Sequence, residues 1–156
     1  MKSAVFFVAF VAAVAADKIP DFLVPGKCPA VNEKALFEQQ IPNHSKYAGV
    51  WYEIALTNNP YQLLKQCVRN EYSFAFTAPY VILDTDYENF SCIYSCVEFN
   101  YGYYADFAFI FSRSPSLSDQ YLRRCEAAFK EIGVDVSRFA KTVQGSNCPY
   151  DTQKSL

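Results

Sequence analysis

Six cysteines, Cys28, Cys67, Cys92, Cys96, Cys125 and Cys148, set the tightest geometric limits on this chain. Their compartment is read from the start of the sequence. Met1, Lys2 and Ser3 precede an apolar run over 4–14 and the small residues Ala15 and Ala16, the pattern of a secretory signal peptide cut before Asp17. The run is too short to span a bilayer. An even cysteine count in an oxidising compartment reads as three disulfides. Metal-site spacing is absent and His44 is the sole histidine, which argues against zinc. Six cysteines allow fifteen connectivities. Cys92 and Cys96 lie on one predicted strand, on one face and roughly 13 Å apart, so they cannot join each other. Both must reach outside the sheet.

The remaining 17–156 make one domain. The formal net charge is −2, one unit more negative without Lys2, and no basic run appears. That argues against nucleic acid or anionic membrane as a partner. Residues 17–46 show no clean period and are broken by prolines, so an irregular arm is expected, with a helical turn near 33–39. Strands are expected over 50–57, 66–74, 79–85, 90–99 and 103–112. In the second, Val68, Asn70, Tyr72 and Phe74 share a face. In the last, Phe107, Phe109 and Phe111 oppose Ala108, Ile110 and Ser112; three rings on one side either fill a core or line a cavity. Ser116 with Asp119 reads as a capping box before the helical stripe Leu117, Tyr121, Cys125, Phe129 and Ile132, and Gly133 as its stop. Such a helix lies outside the sheet. A bond from Cys125 to an outward-facing Cys92 is then geometrically reasonable, and Cys148 in the tail is expected against Cys67. Sequons stand at Asn43 and Asn89.

Three further pieces occur in order: Gly49 two residues before the only tryptophan, Trp51; Thr85-Asp86-Tyr87 after an apolar run; and Arg113 at the end of an aromatic strand. Gly49 permits a tight entry into the strand, and the Arg113 guanidinium can lie across the face of the Trp51 indole. The set resembles the signature of the lipocalins, secreted antiparallel up-and-down barrels of eight strands around a small apolar ligand. The fold class expected is all-β, with one C-terminal helix packed outside.

The strings DKIPDFLVPGKC (17–28), YAGVW (47–51), ALTNNPYQ (55–62), CVRNEYSF (67–74) and VQGSNCPYDTQK (143–154) are similar to the crustacyanin A-type subunits within that family. The resemblance implies a secreted, non-enzymatic carrier of the carotenoid astaxanthin, with no obligatory cofactor, that pairs with a C-type subunit. It also implies the bonds Cys28–Cys96, Cys67–Cys148 and Cys92–Cys125. The ligand set expected is Asn70, Tyr72, Phe74, Tyr80, Ile82, Ile93, Phe107 and Phe109. Of these, Asn70 and Tyr72 can donate hydrogen bonds towards a ring keto oxygen, directly or through water. Rare lipocalins use a free cysteine as nucleophile, but here each cysteine has a disulfide partner to hand.

One departure stands out. Between Trp51 and Thr85 the chain is about 40 residues short of an eight-strand barrel. The likeness stops near Phe74 and resumes near Ala78 and Pro79, so about five of eight strands are expected. Strand 66–74 and its successor are parallel in such a barrel, and parallel neighbours need a crossover of a dozen or more residues. Residues 75–78 reach only about 14 Å, so one of the two strands must shift, shorten or merge. Two alternatives to pigment binding follow: a pocketless isoform that only associates with crustacyanin-type subunits, and a general carrier of bilins, retinoids or lipids.

Overall fold

The computed structural model describes residues 19–31, 44–60, 62, 64–72 and 80–150. The leader read at 1–16, the turn at 33–39 and the sequon at Asn43 lie outside them. Seven strands form one sheet: β1 (Leu23–Pro25), β2 (Gly49–Thr57), β3 (Arg69–Tyr72), β4 (Val81–Thr85), β5 (Phe90–Phe99), β6 (Tyr103–Ser112) and β7 (Phe139–Lys141). Among the described residues they are accompanied by a single turn α1 (His44–Tyr47), the longer α2 (Asp119–Glu131) and a short 3-10 helix, Val136–Arg138.

The main path runs β3-β2-β6-β5-β4, with β1 added to β6 and β7 to β2. Every strand pairing is antiparallel. The sheet is not closed by hydrogen bonds between β3 and β4, which run parallel at its two ends. Their side chains nevertheless meet, with the Tyr72 and Tyr80 rings 6.4 Å apart, edge to face. Within the described residues β3 has four residues and β4 five, and the junction between them lies outside those residues. Cys67, at φ +57, separates β3 from Gln66, which makes only a parallel bridge to Val143. Strand 66–74 is therefore shorter at its start than its alternation suggested, and Phe74 lies outside the described residues.

The longest pairing is β5 with β6, in unbroken register from Phe90 opposite Ser112 to Phe99 opposite Tyr103. Ten alternating residues on each strand dictate it. The outward set Cys92, Tyr94, Ala108 and Ile110 packs under α2 against Cys125 and Phe129, all buried. Phe90 stacks on Tyr121 of the helix at 5.0 Å. The inward set, Ile93 and Phe111, joins Tyr47, Trp51 and Ile82 in a second core on the concave side.

Two expectations need correction. The N-cap of α2 is Ser118, without a side-chain cap bond, rather than Ser116. Ser116 belongs to the preceding turn, where its carbonyl accepts from Ser112 Oγ at 3.0 Å. Strand count is the second: β1 and β7, three residues each, are too short to show a period and were hidden in the arm and tail. At its other end α2 stops as expected. Gly133 takes φ +82, and the N–H groups of Gly133 and Val134 return to the carbonyls of Lys130 and Phe129 at 3.0 Å, a Schellman closure.

Candidate functional site: a cavity over an indole floor

The floor is built by three chain segments converging on Arg113. Gly49 enters β2 at φ +97, a backbone region that L side chains rarely adopt. This brings Trp51 inward, fully buried, with Nε1 donating to the Tyr47 carbonyl at 2.8 Å. Arg113 Cζ lies 3.8 Å from the Trp51 ring centroid. Its donors reach four carbonyls, those of Tyr87 (3.1 Å), Ala48 (3.0 Å), Val50 (3.0 Å) and Lys46 (2.6 Å).

The turn at Thr85-Asp86-Tyr87 aims one of those carbonyls. Asp86 Oδ1 accepts from the backbone N–H groups of Glu88, Asn89 and Phe90 at 2.7 to 3.2 Å. Thr85 Oγ1 donates to the Phe90 carbonyl at 2.6 Å and accepts from Tyr87 N–H at 3.0 Å. Partial burial opposes ionisation of Asp86, but bonds from Asn89, Phe90 and Glu88 outweigh it and hold the carboxyl below its usual range. Tyr87 is thereby held at φ +67 with its carbonyl facing Arg113. The Asn89 side chain, at the exposed end of this turn, donates to Asp86 Oδ2 at 2.7 Å.

Above the floor is a cavity of about 310 Å³, lined on the β2 and β3 side by Glu53, Val68, Asn70 and Tyr72, with Gln62 from the loop after β2. Tyr80, Ile93, Ser95, Phe107, Phe109 and Phe111 complete it. Its size is at the low end of the ~300–1,000 Å³ common for small-molecule sites. Phe109 and Phe111 lie stacked at 5.7 Å, and the edge of Tyr72 meets Phe111 at 6.4 Å. Burial pushes the Tyr80 hydroxyl up to about 12, against a hydrogen bond from Tyr72 that lowers it. Burial also drives Tyr72 upward, helped by Tyr47 and Tyr80. Both phenols therefore stay neutral hydrogen-bonding groups at ordinary pH.

Asn70, Tyr72, Tyr80, Ile93, Phe107 and Phe109 thus come together around one space. Ile82 does not line it; it is buried beneath, with Trp51 and Phe111 in the floor. The expected ligand set left out Glu53, Gln62, Val68, Ser95 and Phe111, although Val68 and Phe111 were read on the same strand faces as its members. Strand parity could have found four of them, since they alternate with Trp51, Asn70, Ile93 and Phe109. Gln62 sits in a loop and carried no such signal.

Glu53 is buried, with Gln62 Nε2 donating to its two carboxylate oxygens at 2.8 and 3.0 Å and Thr142 Oγ1 at 2.5 Å. Burial raises its pKa and these bonds lower it, with burial prevailing. Gln144 Nε2 bonds the carbonyls of Glu53 and Val68 at 2.7 Å each, tying the C-terminal tail to both walls. The three disulfides are Cys28–Cys96, Cys67–Cys148 and Cys92–Cys125, the same pairs the resemblance implied. They fasten the arm, the tail and α2 to the outside of the sheet. All six cysteines are thereby used, and among the described residues no acid, cysteine and histidine group suited to a metal occurs.

A curled antiparallel sheet around an aromatic cavity, floored by an indole under a guanidinium, is the build of a small-molecule carrier. The profile of the lipocalin / cytosolic fatty-acid binding protein family matches residues 65–146, and the chain belongs to the lipocalin family. It is 51% identical to the crustacyanin-C1 subunit of Homarus gammarus and 50% to the crustacyanin-A1 subunit, in each case across 90% of this chain and 100% of the relative. Identity therefore does not separate A-type from C-type likeness. The structure of apocrustacyanin C1 superposes with a TM-score of 0.81 over 89% of this chain and 100% of that one. Insecticyanin from Manduca sexta shares the fold at 21% identity, with a TM-score of 0.66. Each crustacyanin alignment runs over 181 positions, more than the 156 residues of this chain, so those relatives carry positions without a counterpart here.

Proposed function

We propose that the protein is a secreted crustacyanin-type lipocalin, residues 17–156 after loss of a leader over 1–16, that carries a carotenoid such as astaxanthin. The observation that carries this reading is the convergence of Asn70, Tyr72, Tyr80, Ile93, Phe107 and Phe109 on one cavity in a chain half identical to two crustacyanin subunits. The cavity takes one ring end of the pigment, and the polyene leaves past β3 and β4. Asn70 and the Tyr72 hydroxyl supply donors for a ring keto oxygen, and the Phe107–Phe109 face holds the ring flat. A carrier, rather than a catalyst, also suits a chain whose thiols are all bridged. Titrating the folded, disulfide-bonded protein with astaxanthin tests it. A red shift of the visible band, reduced in Asn70→Ala and Tyr72→Phe, is the expected result; an unshifted spectrum beside an eight-stranded crustacyanin control refutes it.

A second reading rests on the β5 end beyond its pairing with β4. Val97 and Phe99 are 49% and 47% exposed there, on the inward face of a strand whose outer edge has no strand partner past Tyr94 among the described residues. An isoform that chiefly associates with a C-type subunit would cover that shelf. Sedimentation with purified C-type subunit distinguishes the two: a pigment-free complex favours association, and a monomer at every concentration removes it.

A further inference from the structure

Two acids among the described residues are 1% exposed, and they are treated very differently. Asp106 meets Arg138 through two bonds, Nη2 to Oδ1 at 2.6 Å and Nη1 to Oδ2 at 3.0 Å. Glu53 receives only the neutral donors Gln62 and Thr142, and among the described residues it forms no ion pair. A carboxyl held this way has a strong appetite for positive charge, because burial without a cation disfavours its ionised form. Unlike Asp106, it opens onto a cavity.

The remaining wall suits the same charge. Tyr72, Tyr80, Phe107, Phe109 and Phe111 surround the space beside Glu53, and ring faces attract a cation as well as enclosing an apolar body. A volume of about 310 Å³ accommodates a single ring with a short side chain rather than a long amphiphile. A hydrocarbon ligand leaves the carboxyl unanswered; a protonated amine answers it.

We infer that the cavity binds a small aromatic amine in its protonated form, with the ammonium on the Glu53 carboxylate and the ring against Phe107, Phe109 and Tyr72. The inference rests on the reading of this cavity as the ligand site, and goes beyond it in naming a charged ligand class. Gln62 and Thr142 hold the carboxylate in place, and the ammonium takes the lone pairs they leave. Tyr72 and Tyr80, the other titratable groups in the wall, remain neutral and add no competing charge.

The test compares 2-phenylethylamine with 2-phenylethanol, which has the same shape and no charge, by calorimetric titration of the disulfide-bonded full chain at neutral pH. The amine is expected to bind about tenfold or more tighter than the alcohol, and Glu53→Gln to bring the two to parity. Equal affinity for the two ligands, or an amine preference that survives Glu53→Gln, overturns the inference. The ligand comparison on the unmodified protein decides the matter even where Glu53→Gln does not fold. A protein that shifts the astaxanthin band yet ignores the amine sinks this inference alone; one that takes neither pigment, alcohol nor amine sinks the cavity reading with it.

Discussion

Arg113 Cζ lies over the Trp51 indole, 3.8 Å from its ring centroid, and the same guanidinium donates to carbonyls of Lys46, Ala48, Val50 and Tyr87. One side chain therefore ties α1, the entry to β2 and the turn after β4 into a single floor. Arg113→Ala strips several carbonyls of charged donors as well as uncovering the indole, and should cost about 3 kcal/mol or more. Urea unfolding followed by the fluorescence of the sole tryptophan measures it. Arg113→Lys should fall between, since an ammonium lacks the planar fork.

The helix offers an independent case. Cys92–Cys125 closes a 33-residue separation and pins α2 over the outward set of β5 and β6. Replacing both by alanine should lower stability by about 3–4 kcal/mol. Thermal unfolding should show the loss while near-UV dichroism of Trp51 changes little, because the floor lies on the opposite face. Loss of the Trp51 signal first would contradict this separation.

Arg138 and Asp106 make the sharpest electrostatic prediction. Asp106 has no side-chain exposure, and hydrogen bonding to Asp106 followed by its charge raises the Arg138 pKa against the effect of burial. Arg138→Met leaves a buried, uncompensated carboxylate beside the Tyr94 hydroxyl and should destabilise by about 3–5 kcal/mol. The double variant with Asp106→Asn should recover much of that loss in a denaturation cycle. Strict additivity of the two changes would show that the pair is not coupled.

Stability should also depend on pH through Glu53. Its folded pKa lies above the ordinary 4.5, burial outweighing the bonds from Thr142 and Gln62. A raised pKa means that the folded state holds the proton more tightly than the unfolded one. The contribution is therefore complete below about 4.5 and is lost as pH rises through the folded value. Unfolding free energies of the natural protein and Glu53→Gln, taken from pH 4 to 8, should diverge in favour of the variant as pH increases. Parallel curves would place the carboxyl in an ordinary environment.

How far the sequence announced this arrangement varies by element. The strands Phe90–Phe99 and Tyr103–Ser112 were legible to the residue, because ten alternating positions leave one register. The floor was legible because glycine, tryptophan and arginine are each unusual choices at their places. The three-residue strands were not, since three positions cannot display a period. Glu53 was missed for a different reason: an acid in a strand reads as solvent-facing unless its donors are known, and here one comes from the loop after its strand and the other, Thr142, from the C-terminal tail. Ile82, a member of the expected ligand set, packs with Trp51 and Phe111 in the floor core, a difference of depth that alternation, which specifies only a face, does not reveal.

The irregular step in β2 has a consequence of its own. Its register against β6 slips between Glu53 and Ala55, so that Trp51 and Glu53 look inward while Ala55 pairs with outward Ile110. A ribbon kinked at that point behaves like a crossover between two tracks. Substitutions upstream retune what the protein holds, substitutions downstream retune how its armour of helix and tail is seated, and neither need disturb the other. Removing the extra residue there would straighten the ribbon yet leave Glu53 opposite Phe111 and Ala55 opposite Ile110, so the two tracks persist without the kink.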